Sequence, residues 1–357
     1  MHPFALWAYI GTTFLVTLVS RIARHVVPDS REQARKLLEV SGKVATFYGI
    51  GVAFTLVNGW LYKEWHGGFP FPMLNTGLKM WFQYGVARCV VQAIGRRPAH
   101  KLAPGLFWVG AVPVGMLASA DILLSNMSLK FVDVSFYTIA KSGNLAMVLL
   151  WAVVLGIEAP KFGVMFSVAT ICVGLGVACW GEATFSSIGL ALVLGSSCLA
   201  GLRWALTQRL GMLDPSFTDS LNIVHHVALP AAVAMLPAMA FELRPFLLSE
   251  FARSGALLGQ AVGMSLVGGC LSFALLLVEV ELIQVTSSLT MAVFGSVREM
   301  IQIGLAIVTL GDQVSALNVL GLAVAMAGTW SYKLAKAHKR RAPPDSTYAP
   351  IATVELP

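Results

Sequence analysis

Val134-Ser135-Phe136-Tyr137-Thr138-Ile139-Ala140-Lys141-Ser142-Gly143-Asn144 is an apolar-dominated stretch broken by one cation, and eleven apolar-dominated residues, Leu145 to Leu155, follow it. About 20 such residues cross a hydrocarbon core of ~30 Å as a helix. Lys141 then lies too deep to reach water easily at the near helix end. A charge at that depth costs roughly 3 kcal/mol or more and is normally kept only where it does something. The stretch therefore argues for a membrane span that holds an anion.

The rest of the chain agrees with a membrane setting. Of 357 residues, 57% are hydrophobic and only 12% charged, with mean hydropathy +0.74. Soluble domains carry about a quarter charged residues. Apolar runs of 18 or more recur, and the short alternating segments of a β-barrel are absent. The five cysteines all fall inside apolar segments without CxxC spacing, so neither a disulfide framework nor a metal site is implied. The net charge of +7 is arranged as topology rather than as a nucleic-acid patch.

Hydropathy places spans at roughly 3–20, 44–61, 73–94, 104–126, 133–156, 162–180, 187–208, 219–241, 256–277, 285–310 and 316–334. Of 25 Lys and Arg residues, eighteen fall on one set of alternate ends, four on the other, and three (Lys79, Lys141 and Arg298) within spans. The rich side is cytosolic by the positive-inside rule, which puts the C-terminus in the cytosol. The segment 3–20 has its positive flank after it, at Arg21 and Arg24, as an uncleaved anchor would. Residues 28–43 read as a short amphipathic cytosolic helix, and the chain from Pro343 as a disordered tail.

With the first span set aside, ten remain, divisible as five plus five. An odd-numbered unit repeated once gives halves of opposite topology, the inverted-repeat plan of many membrane carriers. The fourth span of the first unit carries Lys141 and that of the second carries Arg298. Tyr137 and Thr138 share a helical face with Lys141, and hydroxyls beside an ammonium suit phosphate oxygens. The competing reading pairs Lys141 structurally with Asp121, which is otherwise a candidate for proton coupling. A guanidinium at Arg298 matches phosphate with two parallel donors. Neutralisation of Arg298 by the adjacent Glu299 is the alternative, made awkward by the ~100° between neighbours on a helix. Lys79 either snorkels to the lumenal interface or contacts the bound solute. Arg203 reads as an interfacial anchor, and His225 and His226 as packing residues.

Several stretches together resemble a known family. They are Asn58-Gly59-Trp60-Leu61, Phe69-Pro70-Phe71-Pro72, Ala120 to Asn126, Val134 to Thr138 with Lys141-Ser142, Arg203 to Gln208, and Gly311-Asp312-Gln313 with Asn318 and Gly321. They look like the triose-phosphate translocator and nucleotide-sugar transporter group of the drug/metabolite transporter superfamily, most like solute carrier family 35 C-type members related to GDP-fucose transporters. The resemblance covers about residues 43 to 336. It implies an all-α bundle of ten helices in two inverted five-helix repeats, strict exchange of phosphorylated solutes, and Lys141 and Arg298 as phosphate-binding cations. Tyr137 and Thr138 fall where the family lines the same pocket, and Asn58 stands in its Asn-Lys-Trp pattern, here with Gly59 replacing the cation. Asn144-Leu145 replaces the Glu-Pro pair of plastid triose-phosphate members, and Val297-Arg298 their Lys-Arg pair.

The sequence thus predicts an N-terminal anchor and linker over 1–43, a transporter domain over 44–336 (repeats 44–180 and 187–334), and a cytosolic tail over 337–357. The expected activity is exchange of a nucleotide-sugar or related phosphorylated sugar for nucleoside monophosphate or phosphate in the Golgi or endoplasmic reticulum membrane. The alternatives are a proton-coupled exporter using Asp121 and a non-transporting regulatory partner. An enzyme is not expected, for want of a nucleophile, metal or acid–base constellation. The expected partners are a phosphorylated small molecule and the lipid bilayer, with a homodimer left open, no cofactor and no nucleic acid.

Overall fold

The structure, a computed structural model, describes residues 17, 32–93, 104–159, 162–180, 186–213, 220–310 and 315–341. The anchor expected at 3–20, apart from residue 17, the linker before residue 32 and the tail from residue 342 lie outside the described residues. The described chain is all-helical and has no strand.

The main helices are α1 (Glu32–Lys63), α2 (Pro72–Ala93), α3 (Val112–Ser128, entered through a π-turn over Phe107–Ala111), α4 (Val134–Lys141), α5 (Asn144–Val154) and α6 (Phe162–Trp180). They continue as α7 (Ser187–Leu213), α8 (Ser220–Ala234), α9 (Leu236–Leu248), α10 (Gly255–Val285), α11 (Ser288–Leu310) and α12 (Ala316–Arg341). Among the described residues, seven helices or near-continuous helix pairs are long and apolar enough to cross a membrane, and eight if the bent pair α8–α9 is one span. The chain is therefore a multi-pass membrane protein. Residues Phe162, Trp180, Phe241 and Trp330 point outward, where lipid covers apolar surface.

Helix α1 corrects one expectation. The described part of the amphipathic segment placed over 28–43, from Glu32, runs without a break into the span, as one helix of 32 residues. Two further spans are interrupted. Ser142 and Gly143 separate α4 from α5 directly after Lys141, and the Ser142 hydroxyl bonds back to the Ile139 carbonyl at 2.6 Å. Between α8 and α9 the axis bends by 48°. Pro237, in the first turn of α9, has no N–H to give and crowds the preceding turn, which accounts for that bend.

Helix α6 packs most extensively on α12. Small residues permit it, since a Cβ on Gly174 would strike the backbone of Gly321 and Ala325, and one on Gly321 the backbone of Gly174 and Ala178. Backbone cannot step aside as a flexible side chain can. Without a hydrophobic drive between helices in lipid, such close approach is the main source of association. Gly321→Ala is expected to cost about 1–3 kcal/mol, the usual range for overpacking. Gly176→Ala, whose added carbon would meet nothing within 4 Å, is expected to be neutral or slightly stabilising. Melting of both variants in detergent checks the contrast.

Other pairings are α3 with α7, α1 with α10, α2 with α10, α3 with α8, α7 with α4 and α5, and α1 with α11. Helix α2 also packs on α8, and α11 on α4 and α5. At one end, Trp65, Phe69, Phe71, Phe246 and Phe251 stack with ring centroids 5.1–6.5 Å apart. The turn that carries Trp65 needs left-handed backbone at Gly67 and Gly68, with φ of 81° and 97°.

Candidate functional site

An internal cavity of about 130 Å³ lies among α1, α2, α3, α4, α7, α10 and α11. Lys141 forms part of its wall at the end of α4. Its ammonium donates to Asp121 Oδ1 at 2.9 Å, Ser125 Oγ at 2.9 Å and Ser196 Oγ at 2.8 Å. Three donors therefore have three partners, two from α3 and one from α7. Asp121 and Ser125 are four residues apart and share one face of α3.

The second carboxylate oxygen of Asp121 faces Arg203 at 3.7 Å, and Arg203 also pairs with Glu279 of α10. Trp204 Nε1 donates to the same Glu279 oxygen at 2.6 Å. A chain of alternating charge thus runs Lys141–Asp121–Arg203–Glu279 through buried side chains. Arg298 of α11 reaches the cavity differently. Its guanidinium lies 4.6 Å from the centre of the Phe47 ring, over Gly51, where a Cβ would stand 2.9 Å from its Cδ. Among the described residues Arg298 has no ion pair, and its Nε has no hydrogen-bond partner.

Lys141 and Arg298, predicted as equivalent cations of two halves, therefore line one cavity. Tyr137 lines it too, with its ring 6.0 Å from the Lys141 ammonium. Thr138 stands behind the wall, its hydroxyl bonded to the Val134 carbonyl at 2.6 Å and accepting from Gln302 of α11. Asn58 lines the cavity and accepts from Lys79 Nζ at 2.6 Å. Lys79 does not snorkel: it is 3% exposed, between the rings of Phe54 and Tyr62, with its stem along Gly268. Asn126 bridges Asn58 and Thr76 at 3.4 and 2.8 Å.

Three residues were missed or misread. Arg203 is not an interfacial anchor, because α7 runs on to Leu213, about 15 Å further. Removing it from the eighteen cations expected on the cytosolic side leaves seventeen against four in the sequence. Glu279 lay beyond the expected end of its span at 277, whereas α10 continues to Val285. Glu299, read from the sequence only as a neighbour that could neutralise Arg298, is buried and lines the cavity itself. His226 meets Phe107 edge-on, and its Nδ1 lies 2.8 Å from the Asn222 carbonyl oxygen, away from this cavity.

Buried polar atoms nearly always find partners. Here Gln83 Oε1, Asn144 Oδ1, Ser272 Oγ, Arg203 Nε, Arg298 Nε and Glu299 Oε2 have none, and all six residues line this one cavity. Polar groups left unsatisfied around a concave interior mark a place for a polar ligand. A multi-pass helical protein with such a chamber between its helices has the form of a solute transporter. The chain belongs to the Triose-phosphate Transporter family, whose model matches residues 38–333.

Curated relatives agree with that class. A probable sugar phosphate/phosphate translocator of Arabidopsis thaliana is 28% identical, over 83% of this chain and 74% of its own. The chloroplastic phosphoenolpyruvate/phosphate translocator 2 of the same plant is 25% identical, over 84% and 78%. A Saccharomyces cerevisiae protein provisionally assigned as a nucleotide-sugar transporter is 27% identical, over 50% and 44%.

Proposed function

We propose that the protein exchanges a phosphorylated small solute, of the sugar-phosphate or nucleotide-sugar class, for phosphate or a nucleoside monophosphate by alternating access. The observation that carries this reading is the convergence of Lys141 and Arg298 on one cavity that also gathers the unpartnered polar atoms. Lys141 supplies a point charge and Arg298 a planar, unpaired guanidinium, a combination suited to phosphate oxygens. Tyr137 and Asn58 complete the proposed lining, with Lys79 acting through Asn58.

The helix pairings support two inverted five-span repeats. Exchanging the first half (α1–α6) with the second (α7–α12) maps the pair α3–α7 onto α10–α1, and α2–α10 onto α8–α3. It maps α6–α12 and α2–α8 onto themselves, as a two-fold axis in the membrane plane requires. Rocking one half against the other would then open the cavity to each side in turn. The cavity in this conformation is small against the ~300–1,000 Å³ of sites for drug-sized ligands, which favours a phosphorylated sugar or phosphate over a nucleotide-sugar. The missing Glu-Pro pair favours an endomembrane over a plastid setting, and the Lys/Arg bias favours a cytosolic C-terminus.

Reorientation of an empty carrier that has lost its anion and keeps a net positive charge in a dry core is costly, so exchange should outrun net uptake. In proteoliposomes, labelled phosphate should enter at least ~10-fold faster when the lumen holds phosphate, a barrier difference of ~1.4 kcal/mol. Uptake equally fast into empty vesicles would sink the exchange reading.

A further inference from the structure

Glu299 is the carboxylate that the ion pairs of the cavity leave over. Asp121 is engaged by Lys141 and Arg203, and Glu279 by Arg203 and Trp204. Glu299 is 4% exposed and its Oε2 has no hydrogen-bond partner. Its neighbour Arg298 projects ~100° away around α11 and lies on Phe47 instead. The charges that act on Glu299 are Arg298 and Lys141, and Tyr137 from α4, Arg203 from α7, Glu279 from α10 and Asp121 from α3 share the cavity wall with it.

Formal charges then decide which forms of the carrier can move. The cavity holds three cations, Lys141, Arg203 and Arg298, and three carboxylates, Asp121, Glu279 and Glu299. With Glu299 ionised the lining of the empty cavity is neutral, Lys79 standing behind Asn58 and outside it. With Glu299 protonated it carries one positive charge, which a singly charged phosphate ester or phosphate monoanion cancels. These two neutral states are the ones that cross a dry core at least cost.

We propose that Glu299 carries a proton in the transport cycle. Its carboxylate takes the proton from water on the side where the anion enters, and releases it to the other side when the anion leaves and the empty carrier returns. No other bond forms or breaks. Net uptake is thereby proton-coupled, whereas exchange, with the proton retained on both legs, is not. This rests on the cavity being the phosphate site.

Purified protein in proteoliposomes, with labelled inorganic phosphate as probe and an enclosed pH dye, tests it. For one proton per anion, a lumen one pH unit more alkaline than the outside raises the phosphate level reached in initially empty vesicles about tenfold. A protonophore removes that gain. Glu299→Gln, which holds the charge of the protonated form, raises the ratio of exchange to net uptake at least ~tenfold and abolishes the dye signal. Melting of the variant in detergent distinguishes lost coupling from lost fold, and the protonophore arm stands on the wild-type protein alone. Phosphate bringing its own proton would acidify the lumen in Glu299→Gln as well, and that result overturns the proposal. Wild-type net uptake that ignores the pH gradient also overturns it and leaves the phosphate site intact. If the wild-type protein exchanges no phosphate at all, both readings fall.

Discussion

Lys141→Ala is expected to lower phosphate exchange at least ~100-fold in proteoliposomes, a loss of ~2.7 kcal/mol of interaction. The side chain ties α4 to α3 and α7 through Asp121, Ser125 and Ser196, at the break before α5. Its removal leaves Asp121 with Arg203 at 3.7 Å as its one ion partner among the described residues, beside a long hydrogen bond of 3.4 Å from Ser125. Leaving a buried partner uncompensated costs about 3–5 kcal/mol, so the variant should also melt early. The double variant Lys141→Ala with Asp121→Asn separates the two effects. It should recover much of the stability, because no charge is orphaned, and none of the transport. Recovery of transport in the double variant would make Lys141 a structural counterion only.

Glu279→Ala is expected to destabilise the fold by about 3–5 kcal/mol. Glu279 receives both Arg203 and the Trp204 indole, and so joins α10 to α7 across the chamber. Without it a buried indole N–H is unsatisfied and the Arg203 guanidinium keeps only Asp121, at 3.7 Å. Arg203→Ala should cost a similar amount, and the double variant clearly less than the sum, since the two residues form one network. Thermal or denaturant unfolding in detergent measures all three. Additive losses would mean that the pair contributes nothing as a pair.

Much of the site was legible as cost. A Lys in the middle of an apolar span is visible in any hydropathy reading, and Lys141 and Arg298 stood out for that reason. Ends of helices were not legible in the same way. Glu279 and Arg203 lay where hydropathy falls, and both seemed to belong to flanks. Helix α10 continues for several residues past that point, with only Thr286 and Ser287 before α11, because Glu279 is paired across the cavity and needs no water. Lys79 misled in the opposite direction. Its position two turns into a span allowed snorkelling, but Asn58 and two aromatic rings hold it inside. The break at Ser142-Gly143 carries no Pro and gave no signal, whereas the α8–α9 bend has Pro237 beside it. Partner choice between distant residues is a tertiary property, and spacing along one helix does not encode it.

The central claim is that the cavity shared by Lys141 and Arg298 binds a phosphorylated anion. Ligand-induced stabilisation of the purified protein tests it most directly, with inorganic phosphate, sugar phosphates and nucleotide-sugars as probes. A ligand at one hundred times its dissociation constant stabilises by about 2.7 kcal/mol, enough to raise the melting temperature by a few degrees. Arg298→Gln is the informative variant, because among the described residues Arg298 has no ion pair whose loss would unfold the protein. At least one phosphorylated probe should shift wild-type melting, the unphosphorylated sugar should not, and Arg298→Gln should lose the shift. A shift that survives in Arg298→Gln, or no shift with any phosphorylated probe, would contradict the account.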